Sequence, residues 1–526
     1  MIVHKKSIGL VSATFLGISC VVGSGWLFSP YKTAAIAGPS AILTWIVSGG
    51  IMLLLALCFA EVASLYPKRG LSAIIPSLSH NKFFGFPFAI ANWLGIVAVI
   101  GLEADATIQY LMNLTPHFKP YLYSNDQLTW AGNSLSIILV ICYCFVNYWG
   151  AKTLTKANNV LSLVKVLVPI ITALVFISIA FHPANFTVVH DTFMPYGAKS
   201  ILGAILTTGI IISFNGFQSI VSFASEIKKP ERTIPLSLVI SLLFCLGVYI
   251  LLQISFIGAI PTEMLANGWH QLEFSAPMIQ LSVLLGLSVF TSVIYFGATI
   301  APSGAGVAFT GTATRMFTAM SRNGQMPALF NTSHPTYNIS RRSLIANTVL
   351  AVLFLLMFRS WSQLAEFLSL FHVISYLPIP IALCVFRNAI VTRNYPFRLW
   401  GGRLIALFVF TMFTYLFTMG HLKTVTDIFL LFLAFQIAFI ALNVKSIAES
   451  IDAIKQCLGI LLYFAGLWLL TYFSPTRSSA LSETVFTALV IVFSVSAFFS
   501  LIKYKPNSAA ELTEEQKFLA DQATVS

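Results

Sequence analysis

The chain has 526 residues, 57% of them hydrophobic and only 9% charged, with a formal net charge of +12 at pH 7. Soluble domains carry about a quarter charged residues, so the composition excludes a soluble protein and leaves room for one polytopic membrane domain. The basic excess would fit a nucleic-acid partner in a soluble protein, but here the cations collect in loops: Lys5-Lys6, Lys68-Arg69, Lys228-Lys229 with Arg232, Arg341-Arg342, and Arg387 through Arg403. Such clustering reports topology, and no nucleic-acid partner is expected.

About fourteen apolar stretches follow one another, at roughly 8–36, 41–66, 86–112, 134–150, 157–181, 198–225, 235–259, 287–318, 342–358, 362–386, 403–420, 424–444, 456–474 and 484–503. Most approach the ~20 residues that cross a bilayer. With the N-terminus inside, most Lys and Arg fall on the cytoplasmic side, which predicts cytoplasmic termini. The first stretch is too long for a cleaved signal and lacks a small-residue cleavage site.

The first span is interrupted at Gly23-Ser24-Gly25. An unbroken helix satisfies its own backbone in lipid, so a break at mid-depth frees groups that can hold a ligand. The N–H groups of Ser24, Gly25 and Trp26 would open the outer half-helix at its positive end, a seat for a carboxylate. The carbonyls of Cys20, Val21 and Val22 would close the inner half and accept from an ammonium. Glycine lets backbone approach a ligand closely. A lone G-S-G fits helix–helix packing equally well, and Trp26 fits either a gate or outer packing.

The second span carries Glu61 near its inner end. The third carries Glu103 and Asp105 near its outer end, where hydration is expected; two residues apart, they cannot both face the centre. Glu103 is the better candidate for coupling or gating. In the fifth span Lys165, within S-L-V-K-V-L-V-P, is the cation placed well inside the membrane. Lysine at such depth costs about 2.5–3.5 kcal/mol on the insertion scale. It can carry a proton, or its fixed charge can stand in for a sodium ion; the structural alternative is snorkelling to the interface.

The sixth span breaks at Ser213-Phe214-Asn215-Gly216. Phe214 is placed to cover a bound solute, and Asn215 and Gln218 offer neutral polar contacts to its side chain; an aromatic core residue and backbone-bonded amides are the plain alternatives. Two glycine-interrupted spans at matching places in two halves mark the binding site of a secondary transporter. Further on, Glu366 lies near the outer end of the tenth span and His372 deeper in it, more a packing residue than a proton relay. Residues 1–182 and 183–400 then read as two five-span repeats, the second inverted because each holds an odd number of spans. Residues 401–503 add four spans and 504–526 a polar cytoplasmic tail. The seven cysteines all sit in apolar spans and predict no disulfide. Cys142 and Cys144 point to different faces, so no metal site is expected. An enzyme would need a nucleophile–base pair, a metal cluster or a phosphate loop, and none is present.

Four segments carry a family resemblance. F-A-E-V-A-S-L-Y-P-K-R-G at 59–70, N-Y-W-G-A-K-T at 147–153, S-E-I-K-K-P-E-R-T-I-P at 225–235 and T-R-M-F-T-A-M-S-R-N-G-Q-M-P at 314–327 resemble, in order, motifs of the amino acid–polyamine–organocation transporters. G-S-G-W-L-F at 23–28, I-G-A-I-P-T-E-M-L-A-N-G-W at 257–269 and A-P-S-G-A-G at 301–306 resemble the bacterial aspartate–proton symporter subgroup. The resemblance implies an all-α polytopic fold of the leucine-transporter type, a 5+5 inverted repeat with discontinuous helices 1 and 6, in a bacterial inner membrane. It implies proton-coupled symport of an amino acid, aspartate or glutamate first, with the substrate backbone at the Gly23–Trp26 and Ser213–Gly216 breaks and Lys165 in coupling. Joined to the reading of the residues above, the expected site is Val21, Val22, Gly23, Ser24, Gly25, Trp26, Ser213, Phe214, Asn215, Gly216 and Gln218, with Lys165 and Glu103 in coupling. The proton is the coupling ion, with no cofactor or metal; lipid surrounds the protein, as a monomer or a homodimer. An amino acid/amine exchanger of the same superfamily is the alternative. The chain departs from the pattern in offering no mid-depth arginine for a substrate's side-chain carboxylate, and in having polar Asn215 where relatives are often apolar.

Overall fold

The computed structural model describes residues 8–65, 71–114, 117–124, 127–149, 154–222, 227–334, 337, 339–389, 397–475, 477 and 481–503. The expected tail at 504–526 and the Lys5-Lys6 and Lys68-Arg69 clusters lie outside the described residues.

The first apolar stretch forms α1 (Leu10–Val21) and α2 (Gly25–Ala37), followed by α3 (Ala41–Leu65), a short α4 (Leu71–Ser79) and α5 (Lys82–Leu111). A one-turn α6 (Lys119–Leu122) and a small antiparallel pair, β1 (Tyr123–Ser124) and β2 (Gln127–Leu128), with Tyr123 opposite Leu128, lead to α7 (Trp130–Tyr148) and α8 (Leu154–Ile179). The sixth stretch is three helices, α9 (Gly197–Thr207), α10 (Ile210–Ser213) and α11 (Gln218–Ser222). Then come α12 (Pro230–Ala259), α13 (Pro277–Leu284), α14 (Ser288–Arg322), α15 (Arg341–Met357), α16 (Trp361–Tyr376) and α17 (Pro378–Ala389). The chain closes with α18 (Gly402–Thr418), α19 (Leu422–Asn443), α20 (Ile447–Tyr472) and α21 (Glu483–Leu501). Taking α2 with α3 and α16 with α17, nine helical segments among the described residues are long and apolar enough to cross a membrane. α1, α9, α18 and the Leu163–Ile179 part of α8 are shorter apolar helices.

Helices outrun the apolar runs that announce them, because a cap can hold a helix beyond the hydrocarbon. α20 starts at Ile447, well before the apolar run expected at 456–474. Ser446 caps it by accepting from the Glu449 N–H, while the Glu449 carboxylate accepts from the Lys445 N–H at 3.0 Å, a variant of the reciprocal capping pattern.

α5 runs through the middle of the molecule, and its apolar window is entirely buried. It packs against α14, α15 and α16, with small residues at the contacts such as Gly95, which faces the His372 ring of α16, and Gly101, which faces Leu355 of α15. Such residues let helices approach closely. On the other side Gln253 of α12 joins three helices: its Oε1 accepts from Trp45 Nε1 of α3 at 2.9 Å, and its Nε2 donates to the Pro30 carbonyl of α2 at 3.0 Å. The added helices dock against the same centre, Gln436 of α19 donating to the Phe83 carbonyl and His80 Nε2 to the Leu501 carbonyl, each at 3.1 Å. Burial holds the His80 imidazole down at about 4, with the Leu501 bond opposing, so the clamp works with a neutral ring.

Glu61, expected only as an end-of-span acid, is buried in an ion pair. Both its oxygens meet the Arg387 guanidinium at 2.7 Å, and Oε2 also accepts from the Leu399 N–H at 2.7 Å. This joins α3 to α17 and the segment after it. Removing one partner of a buried pair strands the other charge, at about 3–5 kcal/mol. Glu61→Ala should therefore lower the thermal unfolding midpoint of the purified protein markedly; an unchanged midpoint would show that the pair contributes nothing to stability.

Candidate functional site

The two interrupted spans meet at their breaks. Between α1 and α2 the chain leaves helical geometry at Val22, which is extended, with Gly23 and Ser24 following. In the sixth stretch Gly216 takes a positive φ of 106° between α10 and α11. A Cβ built on Gly216 would lie 2.5 Å from the Cys20 carbonyl oxygen, and one on Gly25 would lie 2.2 Å from Ser213 Oγ. Backbone thus crosses backbone at contact distance, which only glycine allows. Ser29 and Ser213 hydroxyls bond across the junction at 3.1 Å, as do Thr33 and Thr208 at 2.9 Å. Tyr249 of α12 spans both breaks, its hydroxyl donating to the Ser213 carbonyl at 2.8 Å and lying 3.3 Å from that of Val21.

Glu103 stands at the junction, which corrects its expected place in a hydrated outer end. It is 3% exposed, and its Oε1 lies 2.3 Å from the position a Gly23 Cβ would take. Its polar neighbours are the N–H and hydroxyl of Ser24, with the Lys165 ammonium nearby. Oε2 has no protein partner. The chain's own carboxylate therefore occupies the N-terminal mouth of α2, where the helix dipole is positive and where the break was expected to seat a ligand carboxylate. Asp105, two residues on, is equally buried; the expected hydration fails for both because α5 is enclosed on every side.

Lys165 approaches from α8. It is 2% exposed, and its Nζ donates to the Ser19 carbonyl at 2.9 Å, at the negative end of α1. Its Cε packs against Gly304 of α14. It does not snorkel; it ends beside the break.

Cys20, Val21, Gly23, Gly25, Val99, Glu103, Ile212, Asn215 and Phe309 line a small cavity of about 10 Å³, room for about one water. Trp361 caps the α2 side: its Nε1 donates to Ser24 Oγ at 3.0 Å, and its ring stacks on Phe28 at 4.6 Å, which meets Tyr110 edge-on. Phe217, Phe59 and Tyr376 form a second aromatic cluster next to α11. A solute larger than water enters only when these elements part.

Of the residues named from sequence, Val21, Gly23, Gly25, Glu103 and Asn215 face the cavity, while Val22, Ser24, Ser213 and Gly216 form the breaks around it. Phe214 does not cover it: the ring sits edge-on to Trp45 at 5.8 Å and Tyr249 at 5.6 Å, because α10 turns it toward α3 and α12. Trp26 is fully buried outside the lining, with no protein partner for its Nε1. Gln218 turns inward to its own loop, accepting from the Gly216 N–H at 3.1 Å and donating to Asn215 at 2.6 Å. His372 donates from Nδ1 to the Leu368 carbonyl at 2.8 Å and packs on α5, and Glu366 bonds His421.

Sequence reading missed Phe309, Val99 and Ile212, which look like any apolar span residue. It also missed Trp361 and Tyr249, whose aromatic character carries no address. A further interruption at Thr208-Gly209, where Gly209 has φ 79° beneath Trp361, did have a signal in its glycine. Among the described residues no three of His, Cys, Asp and Glu are grouped to hold a metal, and all seven cysteines are free.

Comparison with known proteins extends these observations. Residues 8–510 match the sequence pattern of a family described as amino acid permease. The chain is 35% identical over 406 residues to the glutamate/serine transporter AimA of Bacillus subtilis (strain 168), spanning 77% of this chain and 75% of that one. To the aspartate-proton symporter of the same organism it is 33% identical over 413 residues, 78% of each chain. In three dimensions it is similar to the crystal structure of a manganese transporter from Eremococcus coleocola, with a TM-score of 0.52 at 14% identity over 91% of this chain and 96% of that one. At that identity the likeness is one of fold: all-α, polytopic, leucine-transporter type, with discontinuous first and sixth spans.

Proposed function

Because the chain belongs to the amino acid permease family, within the amino acid–polyamine–organocation superfamily, we propose that it carries an amino acid together with a proton across a bacterial inner membrane, by alternating access with both termini cytoplasmic. It is a multi-pass membrane transporter and not an enzyme. Aspartate and glutamate are the leading substrates, in keeping with the names of the two relatives.

The observation that carries this reading is the pairing of ionisable groups with the two ends of one break: Glu103 at the positive mouth of α2, Lys165 on the Ser19 carbonyl in the last turn of α1. A zwitterion's carboxylate needs the place Glu103 holds, and its ammonium needs carbonyls of the kind Lys165 holds. Substrate and the chain's own charges therefore compete for the same backbone dipoles. A proton added to Glu103 removes its claim on α2, which links binding of the carboxylate to uptake of a proton. Lys165, charged while substrate enters, keeps α1 joined to α8; loss of its proton on the cytoplasmic side frees α1 to move. Each ligand favours the same closed state, which is what coupling requires.

Purified protein in proteoliposomes should accumulate labelled aspartate or glutamate when the outside is made acidic, and accumulation should collapse with a protonophore. Uptake only into vesicles preloaded with an amino acid or amine, regardless of the gradient, would replace symport by exchange.

A further inference from the structure

The hydrogen bonds around Asn215 leave its amide nitrogen unpartnered in a side chain that lines the cavity. Gln218 Oε1 accepts from the Gly216 N–H, which can only donate. The Gln218 amide nitrogen must then donate in turn, and it does so to Asn215 Oδ1 at 2.6 Å, an oxygen that also accepts from the Tyr376 hydroxyl at 3.3 Å. The donor–acceptor inventory thus fixes the orientation of the Asn215 carboxamide. Its NH2 is left outside the network, has no protein partner, and belongs to a side chain 2% exposed that lines the cavity. Buried donors are nearly always bonded, and one held free by two bonds to its own oxygen is positioned for a ligand.

Resting on the amino acid reading above, we propose that the Asn215 NH2 selects the substrate's side chain by donating to an acceptor oxygen on it, whether hydroxyl, carboxamide or carboxyl. Val99, Ile212 and Phe309 make the neighbouring lining apolar, and Asn215 sets a carboxamide among them. A site built around a hydrogen bond rejects an analogue that lacks it more strongly than an apolar pocket rejects an added group, since the site's own polar atom is then left unpaired. The transporter accordingly prefers serine over alanine, asparagine over leucine, and glutamate over norvaline.

Two variants test this. Asn215→Asp keeps the oxygen that Gln218 and Tyr376 hold and exchanges the donor for an acceptor. Asn215→Leu removes both at similar volume. Uptake into proteoliposomes is measured for the three pairs of amino acids, and thermal-shift binding is read in parallel so that a variant unable to transport still reports. In the wild type each oxygen-bearing member should exceed its partner by at least about tenfold. Asn215→Leu should bring all three ratios to near one, and Asn215→Asp should do so for glutamate against norvaline, because serine and asparagine carry donors of their own and a glutamate carboxylate does not. A wild-type ratio near one, ratios unchanged in Asn215→Leu, or an unchanged glutamate–norvaline ratio in Asn215→Asp would overturn the assignment. Neither uptake nor binding of any of the six by the wild type would instead overturn the amino acid reading itself.

Discussion

Lys165→Ala should abolish accumulation driven by a pH gradient. The ammonium lies 2.9 Å from the Ser19 carbonyl and 2% exposed, so its charge is held at the end of α1, with the Glu103 carboxyl nearby. On the coupling proposed above, its loss removes both the tie between α1 and α8 and the proton that Lys165 would release as α1 moves. Lys165→Arg separates the two roles that a buried cation can have. Arginine stays charged under all physiological conditions, so a proton carrier fails with Arg as with Ala, whereas a fixed charge that substitutes for a metal cation survives the change to Arg. Glu103→Gln completes the set: it keeps the shape of the side chain without its charge, so exchange of substrate should persist while dependence on the gradient weakens. Proteoliposome uptake against an imposed gradient, with counterflow as the control, reads all three. Full accumulation by Lys165→Ala would remove that residue from the coupling.

Gly216→Ala should cost nearly as much by a different route. The residue has a positive φ of 106°, and its Cβ would meet the Cys20 carbonyl, backbone that cannot swing aside. Backbone strain of this kind is about 1–3 kcal/mol, and each 1.4 kcal/mol is tenfold in an equilibrium. The clash adds to the strain by pushing α1 from α10. We expect uptake to fall roughly 10- to 100-fold, with the protein still folded by thermal unfolding. Gly247→Ala on α12, where a Cβ meets open space, is the matched control. Normal uptake by Gly216→Ala would mean that contact of the two breaks is incidental.

The breaks themselves were legible in the residues. Lipid offers backbone no partner, so a Gly-Ser-Gly or Phe-Asn-Gly inside an apolar run stands out as a place where helix is given up for a reason. Lys165 was legible on the same ground, because a cation at depth is too costly to be incidental. Motifs near the helix ends carry the family likeness in a few residues each. These signals are local: each lies in a few consecutive residues whose cost depends on the solvent and not on neighbours.

Glu103 shows where local reading ends. Its depth and facing depend on the tilt of α5 and on which helix stands beside it, and only the packed molecule brings it to Gly23. Trp361 and Tyr249, which close and bridge the breaks, arrive from positions 337 and 228 residues away from Ser24 and Val21 respectively. Phe214 turned from the cavity for a comparable reason, since α3 and α12 offered Trp45 and Tyr249 to pack against. Composition, the two breaks, the buried lysine and the family were thus determined by the chain of residues alone, through the penalties that hydrocarbon imposes on free backbone and charge. Which side chains share the cavity, and that a carboxylate of the protein occupies the mouth of α2, was decided by long-range packing, which carries no short-range signature.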